Sequence, residues 1–272
     1  MAHIYKPEES WSTEIGFPSA LAIGDSWFWY VNNNILGTMI NHPRLDDNHR
    51  NIQLVGYNGA RLNDYVADGK YADTVNYFLR PDFARGFSEF YISGAGNDAV
   101  DYGLALRDDC HGITSAAACI DENHMHEMLA GLRESLTKLV TSIRFAKHND
   151  PHAPIFLHGY DYPVPDGRGF SFLMIHSGPW LAPAMNKHGV ENDLALRMAI
   201  ARIMIDRLND DVLAPLANAT PGLVHIDSRS ILKSDGQYRD YWANELHPTN
   251  YGFRCIFEQA WLPKLAEHGI AR

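Results

Sequence analysis

Three short segments carry side chains suited to acyl-transfer chemistry. The first is Ile23-Gly24-Asp25-Ser26, at the end of the apolar run Ala20-Leu21-Ala22-Ile23. A serine at a strand-to-helix turn presents its hydroxyl at the sheet edge. Its backbone N–H then stands at the start of the next element, where negative charge is favoured. The second is Ser93-Gly94-Ala95-Gly96-Asn97-Asp98, after the run Glu89-Phe90-Tyr91-Ile92. Its glycines allow close backbone approach to a ligand, and the Asn97 amide can donate to a developing oxyanion. The third, Trp242-Ala243-Asn244-Glu245-Leu246-His247-Pro248, holds a histidine in a turn fixed by proline, beside side chains able to accept from its ring. That makes His247 the candidate general base. Each segment also has a plainer reading: a capping serine, a Gly-rich turn, and a structural histidine among the fourteen in the chain.

The elements that must position these groups are legible as patterns. Short apolar runs at Ala20–Ile23, Ile52–Val55, Glu89–Ile92, Pro154–Leu157 and Leu223–Ile226 predict five buried parallel strands. Between them, Met125, Met128, Leu129, Leu132, Leu136, Leu139, Val140 and Ile143 recur at three- and four-residue steps, one face of a long helix. A second stripe runs Leu194, Leu196, Met198, Ile200, Ile203, Met204, Leu208, and a third Phe253, Ile256, Phe257, Trp261. Strands alternating with helices predict a doubly wound α/β fold of one domain, residues 1–272. The Pro/Gly/aromatic stretch 160–183, with Tyr162 and Trp180, breaks the alternation at a strand end and is a candidate lid or an ordinary surface insertion.

Composition narrows the partners. A net charge of −10 without clustered Lys or Arg argues against nucleic acid or an anionic membrane surface. No stretch is long and apolar enough to span a bilayer, and the segment up to Glu9 lacks a secretory pattern, so a cytoplasmic protein is expected. Cys110 and Cys119 flank a segment that could close as a loop; they would pair in an oxidising compartment and stay reduced in the cytosol. Cys255 reads as a core residue. No CxxC-like spacing points to a metal, and no cofactor is implied.

Taken together, the three segments resemble the SGNH (GDSL-type) hydrolases, in that family's order and across nearly the whole chain, from Gly24 to Gly252. Gly24-Asp25-Ser26 matches the nucleophile block, with Trp27 in place of the usual Leu. Gly94-Ala95-Gly96-Asn97-Asp98 matches the block that supplies an oxyanion donor, and His247-Pro248 the block of the base. The resemblance implies a flavodoxin-like three-layer α/β/α sandwich with a five-stranded parallel sheet, and a serine esterase without cofactor. It also implies an oxyanion hole of Ser26, Asn97 and a glycine, for which Gly59 is the best match and Gly56 the alternative.

One position departs from the family. The acid expected three residues before the histidine is Asn244. Asn244 could orient His247 through its amide oxygen, Glu245 could supply the carboxylate, or a backbone carbonyl could hold the ring; Asn244 is the positional equivalent. Trp27, Tyr160 and Trp180 are candidate substrate contacts for an acyl group, lipid or sugar ester, and His158 and Asp161 share the strand end with Tyr160. Two other classes compete: a metal-dependent phosphoesterase built from Asp25, Asn97, His158 and His247, and a ligand-binding protein that has lost efficient chemistry.

Overall fold

The computed structural model describes residues 2–30, 33–101, 103–148, 150–172 and 175–272. Its strands are β1 (His3–Tyr5), β2 (Ala20–Gly24), β3 (Asn51–Gly56), β4 (Glu89–Ser93), β5 (Ile155–His158), β6 (Phe170–Phe172), β7 (Ile175–Ser177) and β8 (Leu223–Ile226). Six form one sheet in the order β1-β3-β2-β4-β5-β8, every neighbouring pair parallel. All residues of β2 and β4 are buried, as apolar strands covered by helices on both faces must be. From β2 the chain steps outward to β3 and then returns past β2 to β4, β5 and β8. The direction of winding therefore reverses at β2, and the crevice at its carboxyl end is where such folds bind ligands.

The sheet has six strands where the sequence pattern predicts five. The additional strand, His3–Tyr5, is three residues long and carries no hydrophobic run. It forms because β3 would otherwise be an unpaired edge: Ile4 registers with Ile52, and the Gln53 amide donates to the Tyr5 carbonyl at 3.2 Å.

The long helix spans Glu122–Ala146, capped by Asp121, and buries all eight residues of its predicted stripe. The helix Leu194–Leu208 starts at a second Asp cap, Asp193, and buries Leu196, Ile200, Met204 and Leu208 of the expected stripe; Met198 and Ile203 pack partly buried against the core, and Leu194 alone is exposed. Phe253, Ile256, Phe257 and Trp261 pack inward from a helical stretch over 250–267 that widens to π-type turns at Phe257–Trp261.

Segment 160–183 is not wholly irregular. It contains the antiparallel pair β6–β7 and leads into the helix Leu181–Lys187. Cys110, Cys119 and Cys255 are buried free thiols, and the Cys110–Cys119 segment closes as a loop, with Arg107 N donating to the Cys119 carbonyl at 2.9 Å.

Candidate active site

The Ser26 turn follows directly from β2. Gly24 ends that strand, and a Cβ there would lie 2.7 Å from Ser93 Cβ and 2.8 Å from Ser93 O, so only glycine lets β2 and β4 close at this level. Asp25 caps the short helix Ser26–Trp29 by accepting from Trp27 N at 3.0 Å. Ser26 thus occupies the first helical position, whose N–H has no intrahelical acceptor. Asp25 is itself buried, accepting from Ser93 Oγ at 2.7 Å and from the Tyr160 hydroxyl at 2.5 Å. Burial raises the pKa of its carboxyl, against the lowering effect of those two hydrogen bonds.

Ser26 Oγ lies 2.8 Å from His247 Nε2. On the far side of the ring, His247 Nδ1 lies 3.0 Å from Asn244 Oδ1. The same oxygen accepts from Leu246 N at 3.0 Å and His247 N at 2.9 Å. Two main-chain donors pointing at one atom require that atom to be the amide oxygen, so Nδ1 must carry the ring proton. Nε2 is then a bare lone pair facing the serine hydroxyl. Burial keeps the imidazole neutral, its pKa pushed down to about 3. Tyr30 and Trp180 enclose the ring: Tyr30 stacks on it at 4.1 Å between centroids, and Trp180 meets it edge-on at 5.6 Å.

Glu245, the alternative partner, points elsewhere. Its buried carboxylate accepts from four backbone N–H groups of residues 167 and 180–182. Consecutive residues of one loop therefore serve different neighbours: Asn244 meets the histidine, and Glu245 meets segment 160–183.

The other expected oxyanion donors come from a turn and from the start of the helix Gly96–Asp101. Tyr57-Asn58-Gly59-Ala60 closes through Ala60 N to Tyr57 O at 3.2 Å, with Gly59 at φ +75°. A Cβ on Gly59 would meet nothing within 4 Å, so the left-handed dihedral, not crowding, calls for glycine. Gly56 is different: it ends β3 in register with Gly24, where a Cβ would fall 3.1 Å from Gly24 O. Asn97 donates one amide N–H to Ala60 O at 2.9 Å, which ties the Gly59 turn to the start of the Gly96–Asp101 helix and leaves its second N–H for another acceptor. Asp98 reinforces the tie by accepting from Leu62 N at 3.1 Å.

Beside Ser26 lies a pocket of about 70 Å³, lined chiefly by apolar groups that include Trp27, Leu104, Leu181, Met185 and Met204. Tyr160 and Asp161 also line it. Trp180 does not; its contact is with the edge of His247. His158 is withdrawn from the site altogether. It is fully buried among Trp27, Phe28 and Trp261, its Nδ1 on the Gly159 carbonyl at 2.7 Å. The four-residue metal constellation is therefore not assembled. Among the described residues, no three His, Cys, Asp or Glu side chains come together as metal ligands.

Sequence reasoning missed Tyr30 as the face against the base and the Asp25–Tyr160 link. Tyr30 lies four residues after Ser26, capping the end of the short helix that Ser26 begins, and that spacing is the sequence signal it gives.

No protein-family model and no curated protein matches the chain. Solved structures do. A lipase from a goat rumen metagenome superposes with a TM-score of 0.57 at 16% identity, covering 94% of this chain and 99% of that one. An extracellular lipase from Streptomyces rimosus gives 0.50 at 16% identity, with 92% and 99% covered. A Bacteroides ovatus protein provisionally assigned as a GDSL-like lipase gives 0.50 at 11% identity; the match covers 94% of this chain and 55% of that longer one. The chain has the SGNH (GDSL-type) hydrolase fold. Among the described residues, no helix is long and apolar enough to cross a membrane.

Proposed function

We propose that the protein is a serine esterase that hydrolyses carboxylic esters of small, apolar acyl groups through an acyl-enzyme at Ser26. The observation that carries this reading is the line Ser26 Oγ, His247 Nε2, His247 Nδ1, Asn244 Oδ1, with contacts of 2.8 and 3.0 Å and the tautomer fixed.

In the first step Ser26 Oγ bonds to the ester carbonyl carbon while its proton passes to His247 Nε2. The carbonyl π electrons move onto oxygen, and the N–H groups of Ser26, Gly59 and the Asn97 side chain hold that charge. The bond to the leaving alkoxide breaks as His247 returns the proton to it. Water, deprotonated by the same nitrogen, then releases the acid. Asn244 orients the ring without compensating the imidazolium, so the base works beside a neutral partner. The apolar pocket takes the acyl group, with Trp27 and Tyr160 in its wall and segment 160–183 partly over it.

Intact mass after a fluorophosphonate reagent tests the reading. One adduct on the wild type and none on Ser26→Ala, with p-nitrophenyl acetate turnover lost in the variant, is the expected result. A folded wild type that takes no adduct and turns over no ester overturns it.

A further inference from the structure

Glu245 sits one residue from the side chain that orients the base, yet its carboxylate faces a different part of the molecule. Oε1 accepts from Gly167 N at 2.9 Å and Ala182 N at 3.0 Å. Oε2 accepts from Trp180 N at 2.7 Å and Leu181 N at 2.8 Å. The residue is completely inaccessible to solvent, a costly place for a carboxylate unless every lone pair is answered. Here the answer comes wholly from main chain, drawn from two stretches separated by the β6–β7 hairpin. The contact is reinforced around it. Glu245 N donates to the Arg168 carbonyl at 3.2 Å, and Arg168 Nη1 donates back to the Trp242 and Ala243 carbonyls at 3.1 and 3.2 Å.

The residues gathered this way matter to the pocket. Leu181 lines it directly, and Met185 lines it one turn further along the helix whose first residues Glu245 holds. Trp180, held by the same oxygen as Leu181, sets its ring against His247. We infer that Glu245 is a positioning residue: it fastens the two ends of segment 167–182 to the histidine loop and so fixes the Leu181–Met185 wall of the acyl pocket, on which acyl selectivity depends. This rests on the esterase reading for its kinetic part only. The carboxylate touches neither the nucleophile nor the base, so its loss loosens the wall before it disturbs the chemistry.

The test combines amide exchange with an ester series in Glu245→Gln and Glu245→Ala. Gln keeps one acceptor oxygen but sets an NH₂ against the two remaining N–H donors, so it loosens the contact as Ala does while preserving the side chain's bulk. In the wild type the amides of Gly167, Trp180, Leu181 and Ala182 exchange slowly. In the variants they exchange at least tenfold faster, while amides of β2 and β4 stay protected. The ratio of kcat/KM for butyrate over acetate p-nitrophenyl esters moves at least tenfold, chiefly through KM. Unprotected wild-type amides at those four positions, or a selectivity ratio within twofold of wild type in both variants, overturns the proposal. Uniform loss of protection in both variants also overturns it, since Glu245 would then support the fold at large. If the wild type takes no fluorophosphonate, the esterase reading fails separately, and the exchange data still decide whether Glu245 fastens the segment.

Discussion

Tyr30 lies flat on His247, with ring planes 11° from parallel, and its hydroxyl accepts from the Asn244 amide at 3.2 Å. It is carried by the turn that begins at the nucleophile: Tyr30 N donates to Ser26 O at 2.8 Å. One helical turn therefore supplies both the Ser26 hydroxyl and the ring stacked behind His247. When His247 takes up a proton, the electron-rich face of Tyr30 favours the cation from the ring's face as the Asn244 oxygen does from Nδ1, a contribution of about 1–2 kcal/mol in a desolvated site.

Replacing that face should be measurable. Tyr30→Phe keeps the stacked ring and removes only the hydroxyl, and kcat is expected to stay within about threefold of wild type. Tyr30→Leu removes the aromatic face, and kcat is expected to drop about tenfold, the rate equivalent of about 1.4 kcal/mol. Equal losses in the two variants would assign the role to the hydroxyl.

Asn244→Asp should shift the pH dependence. The three donors on Oδ1 suit a carboxylate as well as an amide, and the Tyr30 hydroxyl can turn to donate to the second oxygen. A negative charge beside the ring favours imidazolium and raises the His247 pKa from its buried value of about 3. The acid limb of kcat/KM in the variant therefore moves to higher pH by at least one unit, while the plateau rate rises because the base is stronger. A pH–rate profile of both proteins decides this, and an unmoved limb would mean that Asn244 does not govern the base.

For Asn97→Ala, the expected loss is about 10²–10³ in kcat, with KM changed far less, because the amide acts on charge that exists only in the transition state. Part of the loss comes from freeing the Ala60 carbonyl and the Gly59 turn behind it. Steady-state kinetics on p-nitrophenyl acetate, with thermal melting to confirm the fold, gives the answer.

His158→Phe should reduce acid sensitivity. The buried ring is held neutral, with its pKa pushed down to about 4 by burial. Its folded value lies below the unfolded one, so the unfolded chain binds a proton that the folded chain refuses. Stability is full above about pH 6.5 and falls as pH drops toward 4, by on the order of 3 kcal/mol for this one group. Phenylalanine removes that dependence, and the Gly159 carbonyl keeps its bond from Ser228 Oγ at 2.7 Å. Asp98 and Asp161, each held up at about 6 by burial, slope the opposite way between about pH 4 and 6. The difference between variant and wild-type urea melts across that range is thus the quantity to follow.

How far the sequence reaches depends on the kind of interaction. The five longer strands and the Met125–Ile143 stripe are legible because burial on one or both faces imposes a pattern on neighbouring residues. Strand His3–Tyr5 is not, since it exists only to cover β3 and needs no apolar run of its own. The order of Ser26, Asn97 and His247 is legible because each must follow a strand. The division of work between Asn244 and Glu245 is not. It rests on where four main-chain N–H groups of a segment more than sixty residues earlier come to lie, and no local signal encodes that. Trp180 is a similar case: its aromatic type suits a substrate contact, but its backbone is fastened where the ring meets the base.

The parallel sheet also decides how the molecule can be tethered. Every strand of the large sheet runs toward the crevice that holds Ser26, so His3, paired with Asn51 at the start of β3, lies at the opposite rim. Arg272 lies at that rim too: Arg272 N donates to Arg44 O, and Asp46 N to Ile270 O, just ahead of the same strand. A surface linker attached at His3 or at Arg272 would leave from the base of the sheet, roughly 15 Å of strand away from the crevice. Immobilised through that rim, the protein would present its pocket to the bulk solution.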